Sequence, residues 1–81
     1  MFSPDTKKEL QYAVDLWCDD EEEALIKYSF INDWDVSKIT DMSYLFEGKI
    51  NFNSDISNWN VKNVIDMSYM FHVCHIKYIP E

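Results

Sequence analysis

"INDWDVSKITDMSYLF" occupies residues 31–46, and "ISNWNVKNVIDMSYMF" occupies residues 56–71. Laid over each other without a gap, the two share eight of sixteen positions: Ile, Trp, Val, Asp, Met, Ser, Tyr and Phe. Most other pairs are conservative, as in Ile39 over Val64 and Leu45 over Met70. The offset is 25 residues throughout. Chance does not produce similarity this dense, so this is an internal repeat, and whatever one copy folds into, the other should as well.

A period in the range of roughly 20–29 residues is the mark of leucine-rich-repeat-like solenoids, with one supersecondary unit per coil. Within the unit, Val64, Met67 and Phe71 fall at i, i+3 and i+7, the spacing of one side of a short helix. Asp41 and Asp66 would stand near its start, where a carboxylate is favoured, and Thr40 could cap the first copy. Upstream, "SDISNWNV" mixes β-branched and aromatic residues with Asn and Ser, which reads as a short strand entering a turn. The expected fold is therefore an α/β repeat: a short solenoid of two 25-residue strand–turn–helix coils. Ile31/Ile56, Trp34/Trp59, Val36/Val61, Ile39/Val64, Met42/Met67, Leu45/Met70 and Phe46/Phe71 are expected to stack as core ladders, leaving Ser and Tyr for the surface or a hydrogen bond between coils.

The first 30 residues read as a helical cap. Thr6 with Glu9 is a capping-box pair, and Pro4 lies just upstream. Leu10, Ala13, Val14 and Trp17 then form one apolar stripe at i, i+3, i+4 and i+7. "CDDEEEALIKY" restarts the pattern, with Asp19 and Asp20 as caps, three glutamates in a first turn, and Ala24, Leu25 and Tyr28 facing inward. The resulting division is one domain: cap 1–30, first repeat 31–55, second repeat 56–75 and tail 76–81. "IKY" at 26–28 and 76–78 lies two periods apart, with "NFN" at 51–53 in phase between them.

Eighty-one residues with 47% apolar content and thirteen aromatics suit one small folded domain. Seven basic against fifteen acidic residues give a net charge of −8, which repels nucleic acid and anionic membranes. "MFSPDTKK" lacks the pattern of a signal peptide, and no apolar run approaches the ~20 residues of a membrane span. Cys18 and Cys74 do not form a secreted-domain cysteine framework. The expected setting is soluble and intracellular, with free thiols.

"FNSDISNWNVKNVIDMSYMF" and "WDVSKITDMSYLF" resemble the BspA-like leucine-rich repeat of bacterial surface lipoproteins, also found in protists and large DNA viruses. The resemblance covers residues 31–74, and the leader looks like the cap that often precedes such repeats. It implies short parallel strands, roles in adhesion or protein contact, an inward small residue or Cys at position 74, and no catalytic residues. Two departures stand out: this chain holds only two coils, and "KYIPE" replaces the "FN.DIS" expected after Phe71. Pro80 there lacks the N–H a further central strand needs.

His72, Cys74 and His75 are competent metal ligands, but no fourth is evident and the spacing matches no zinc finger. A Cys–His nucleophile would need an oxyanion site that nothing marks. "DDEEE" lacks the spacing of a calcium loop and reads as a solvated helix start. No catalytic, cofactor or metal residue is assigned. Asp33, Asp35, Ser37, Ser57, Asn58 and Asn60 flank the expected strands and, with Ile76, Tyr78 and Ile79 at the C-terminal end, form the candidate contact face. Two coils fall short of the roughly three that usually make such an array stable, so the open end should be covered. The expected function is a non-enzymatic protein–protein interaction module, acting through its strand face or open C-terminal end on a protein partner or on itself. The alternatives are a small structural component of a larger assembly such as a virion, or a surface adhesion fragment.

Overall fold

Thr6 opens the first helix through its own side chain. The computed structural model describes residues 1–74, and helix α1 spans Lys7–Asp19. Thr6 Oγ1 accepts from the Glu9 N–H at 3.2 Å, and Glu9 Oε1 accepts in return from the Asp5 N–H at 3.1 Å. The return bond of the box thus reaches one residue beyond the cap itself. Leu10, Ala13, Val14 and Trp17, the expected stripe, are all buried. Asp20 alone separates α1 from helix α2, Glu21–Tyr28, and caps it by accepting from the Glu23 N–H at 3.2 Å. The three glutamates of the first turn of α2 lie where the helix dipole favours them. Ala24 is buried, Leu25 and Tyr28 partly so.

Beyond α2 the expected coil does not form. Among the described residues there is no strand, and the only regular element after Tyr28 is a single 3₁₀ turn, Ile31–Asp33. The α/β leucine-rich-repeat-like solenoid of strand–turn–helix coils is therefore corrected: two helices are followed by two coils built from turns. The cause lies in the backbone. Tyr44 and Tyr69 have φ of 61° and 55°, and Gly48 and Val73, four residues further on, have 75° and 57°. Left-handed residues four positions apart break the expected helices, and the expected strand at 54–61 is interrupted by the turn that the Trp59 N–H closes on the Ile56 carbonyl.

What replaces the helix is an alternation of N–H bonds. In the first coil, Leu45, Glu47 and Lys49 donate back to the carbonyls of Met42, Tyr44 and Phe46, closing overlapping turns. The N–H groups between them, on Met42, Tyr44, Phe46 and Gly48, donate across to the carbonyls of Asp66, Ser68, Met70 and His72 at 2.8–3.0 Å. Among the described residues, Asp41 and Asp66 form the single parallel bridge. Asp41 and Asp66 are not at helix starts; each accepts from the N–H of the serine two residues on, at 2.8 and 2.9 Å. The two copies therefore lie parallel and in register, joined by backbone bonds without regular secondary structure.

Three aromatic columns follow the same register. Trp34 stacks on Trp59 (centroids 6.3 Å apart), Tyr44 on Tyr69 (5.2 Å) and Phe46 on Phe71 (5.6 Å). Ile31/Ile56, Trp34/Trp59, Val36/Val61 and Leu45/Met70 are buried in both copies. The other three expected ladders are buried only in the first: Val64 and Phe71 are half-buried and Met67 is exposed. Coil 1 bonds to α1 through Lys7 and Gln11 and to coil 2 through its row of N–H groups. One apolar cluster nonetheless runs from Leu10 to Met70. "NFN" contributes through Phe52, stacked on Phe46 at 4.4 Å; the in-phase "IKY" at 76–78 lies outside the described residues.

Candidate functional site

The polar positions expected to make contacts lie on or between two successive turns in each coil, 31–34 and 36–39 in the first and 56–59 and 61–64 in the second, aligned by the repeat. Asp33, Ser57, Asn58 and Asn60 are exposed, and Asp35 and Ser37 are half-buried. Much of their hydrogen-bonding capacity is already used locally. Asp35 Oδ1 accepts from the Ser37 N–H at 3.0 Å, and Asn60 Oδ1, one period on, accepts from the Lys62 N–H at 3.2 Å. Asp55 takes both the N–H and the hydroxyl of Ser57, at 2.9 and 2.6 Å. Asn63 Nδ2 donates to the Ser37 carbonyl at 2.8 Å, tying one turn to the next. These side chains shape turns, as Asx residues do elsewhere. Ile76, Tyr78 and Ile79 lie outside the described residues.

The same chemistry sets the local electrostatics. The carboxyls of Asp35, Asp41, Asp55 and Asp66 are all held below the ordinary aspartate range, first by the hydroxyl of the serine two residues on and then by its N–H. Lys7 adds to this at Asp41, its Nζ lying 3.8 Å from the carboxylate and 3.0 Å from Ser43 Oγ.

A second surface was not evident from the residue pattern. The free side of coil 2 exposes Ile65 (88%), Tyr69 (58%), Val73 (55%) and Met67 (43%), with Phe71 half-buried among them. Of their counterparts in coil 1, Met42 and Phe46 are fully buried, whereas Thr40, Tyr44 and Gly48 are exposed as well. His72 meets Tyr69 edge-on at 5.6 Å. Sequence reasoning placed Met67 in the core because its identity matches Met42. The available signal was position: among the described residues no third copy follows the second to cover Met67.

A groove of about 330 Å³ separates the end of α1 from the link between coils, lined in part by Trp17, Cys18, Lys49 and Phe52. Cys18 is exposed as a residue, yet desolvation of its sulfur pushes the thiol up to about 11, outweighing the nearby Lys49 ammonium. Such a thiol stays protonated at neutral pH and is a poor nucleophile. Cys74 is half-buried against the core, His72 is exposed, and His75 lies outside the described residues. Among the described residues no three His, Cys, Asp or Glu side chains converge as a metal site, and no helix is long and apolar enough to cross a membrane.

A family model described as "Mycoplasma protein of unknown function, DUF285" matches residues 20–76, which hold α2 and both copies of the repeat. The chain belongs to this family. No curated protein and no solved structure matches it. In this DUF285 chain the matched segment takes in both the turn face and the free side of coil 2, while α1 lies outside it.

Proposed function

We propose that this DUF285 chain is a soluble, non-enzymatic protein–protein interaction module that docks through the free side of coil 2. The observation that carries the reading is the contrast between equivalent positions: Met42 is fully buried, while Met67, one period on, is exposed beside Ile65, Tyr69 and Val73. Several large apolar side chains exposed within one coil of a small acidic chain support a contact surface. The net charge of −8 favours a protein over a polyanion as the occupant. The resemblance to BspA-like repeats, with its implied role in protein contact, agrees with this. A permanent place in a larger assembly would use the same side and differs only in lifetime.

Photo-cross-linking tests the reading. A benzophenone side chain at position 69 should give a discrete adduct in extracts of the source cell, lost when Met67→Asp is added. The same group at position 58, on the turn face, should give none. Adducts from both positions alike, or from neither, would overturn the proposal.

A further inference from the structure

A groove of about 400 Å³ opens where α1 and α2 meet the residues that precede them. It shares no residue with the turns of the coils or with the free side of coil 2. Small-molecule sites span roughly 300–1,000 Å³, so this one has room for a single small ligand. Its walls are aromatic. The Phe2 carbonyl accepts from the Asp35 N–H at 2.9 Å, which anchors the residue to coil 1. The Phe2 ring meets Tyr28, with centroids 4.4 Å apart, and the buried Trp34 edge-on at 5.2 Å. Tyr28 lies against the same tryptophan at 5.8 Å. Tyr12, from α1, also lines the groove and is 60% exposed. Two of the three rings are thus fixed by the core, and the third is open to solvent.

The polar groups of the groove are unevenly charged. Lys27 Nζ lies 5.3 Å from the centre of the Tyr12 ring and 5.5 Å from that of Tyr28, bridging the two helices. Aromatic faces hold a cation without neutralising it. Among the described residues, Lys7, Lys38 and Lys49 are paired with aspartates at 3.1–3.8 Å, whereas Lys8 and Lys27 are paired with no carboxylate. Glu9 is the one carboxylate that lines the groove, and its Oε1 already accepts from the Asp5 N–H at 3.1 Å. Thr6 Oγ1 accepts from the Glu9 N–H, which leaves its hydroxyl proton to donate. Two ammoniums therefore stand over one committed carboxylate, in a chain whose net charge is −8.

That combination selects a ligand. A cation would meet two like charges, and a neutral ring would leave both ammoniums unused. A polyanion would be repelled by the negative charge beyond the groove. The geometry points to a small aromatic carboxylate as the occupant, its carboxylate between Lys8 and Lys27 and its ring against Tyr12, Tyr28 and Phe2. This goes beyond the protein-contact reading and does not depend on it.

Hydrocinnamate is the probe, with hydrocinnamamide as its uncharged counterpart and acetate as a carboxylate without a ring. Each is titrated into the ¹⁵N-labelled full chain, and the amide signals of Lys8, Tyr12, Lys27 and Tyr28 are followed. Hydrocinnamate should saturate them with a Kd in the low millimolar range, as expected for a ligand of its size. The amide and acetate should each bind about tenfold more weakly or worse. Lys27→Gln and Lys8→Gln should each weaken hydrocinnamate by about tenfold, and Lys62→Gln, outside the groove, should leave it unchanged. Unmoved indole signals of Trp34 and Trp59 verify that a variant is folded. Shifts still linear at tens of millimolar, equal affinity for the amide or for acetate, or an unchanged Kd in both groove variants would each overturn the assignment.

Discussion

At Val73 the repeat demands a conformation that its residue resists. Position 48 in the first copy holds glycine at φ 75°, and position 73 holds a β-branched residue at φ 57°. The left-handed region costs an ordinary residue ~1–2 kcal/mol, and a β-branched side chain there is a clear outlier. Val73 is more than half exposed, so its removal sacrifices little burial. Val73→Gly should therefore stabilise the chain by up to about 1 kcal/mol, after the greater freedom of glycine in the unfolded chain is set against the relieved strain. Gly48→Val should destabilise by ~1–2 kcal/mol through the backbone alone, since a Cβ there meets nothing within 4 Å. Urea midpoints of the two variants should move in opposite directions; a shift in the same direction would refute the assignment. The aspartates of the turns make a second test. Their pKa values are depressed on folding, so the stability they contribute is present above the unfolded value, about 3.9, and is lost as pH falls through the folded one. Asn60 shows that an amide can close the same turn without titrating. A chain with Asp35→Asn and Asp41→Asn should lose less stability than the wild type between pH 5 and pH 2.5. Parallel pH profiles would show that the serine–aspartate bonds contribute nothing.

The two helices were legible because their signals are local: a side-chain cap, an apolar stripe at helical spacing, acids in a first turn. The coils were not, for a specific reason. Apolar residues at i, i+3 and i+7 arise on one side of a helix and also along overlapping turns closed by i to i−3 bonds. The feature that separates the two is positive φ, and at positions 44, 69 and 73 it is carried by Tyr, Tyr and Val, residues that give no warning. Only Gly48 hinted at it. The exposure of Met67 was hidden similarly, because Met67 and Met42 are the same residue in the same motif. The repeat itself, its register and its paired Trp and Phe columns could be read directly from the 25-residue offset. Helix α1 also does more than a stripe reveals, since Gln11 Nε2 donates to the Leu45 carbonyl of coil 1 at 2.9 Å. Gln11→Met keeps the packing and removes the donor, which should cost about 1 kcal/mol. Gln11→Glu should cost more, because it sets a carboxylate against the Leu45 carbonyl and against Asp15 four residues on. Chemical denaturation that ranks Glu at or above Met would remove the donor role from this residue.

Across the whole molecule, α1 and the coils share one core. Leu10, Ala13, Val14 and Trp17 join a cluster that continues through Trp34 and Phe46 to Trp59 and Met70. Trp17 meets Trp34 edge-on at 6.0 Å, and its Nε1 donates to Ser54 Oγ at 3.2 Å in the link between coils. Trp59 Nε1 donates to the Ile31 carbonyl at 2.8 Å, closing coil 2 onto the start of coil 1. A helix this short is marginal alone, and a two-coil stack buries too little to stand without a cover on coil 1. Each part therefore depends on the other, and the chain should unfold in one cooperative step. Leu10→Ala, at a fully buried position on α1, should destabilise by ~2–5 kcal/mol. The loss should appear at the same midpoint in the far-ultraviolet signal of the helices and in the near-ultraviolet signal of the Trp34–Trp59 stack. If the tryptophan signal instead melted at its wild-type midpoint while the helices melted early, the coils would be a separate folding unit. In that case α1 would be an appendage rather than the element that covers coil 1.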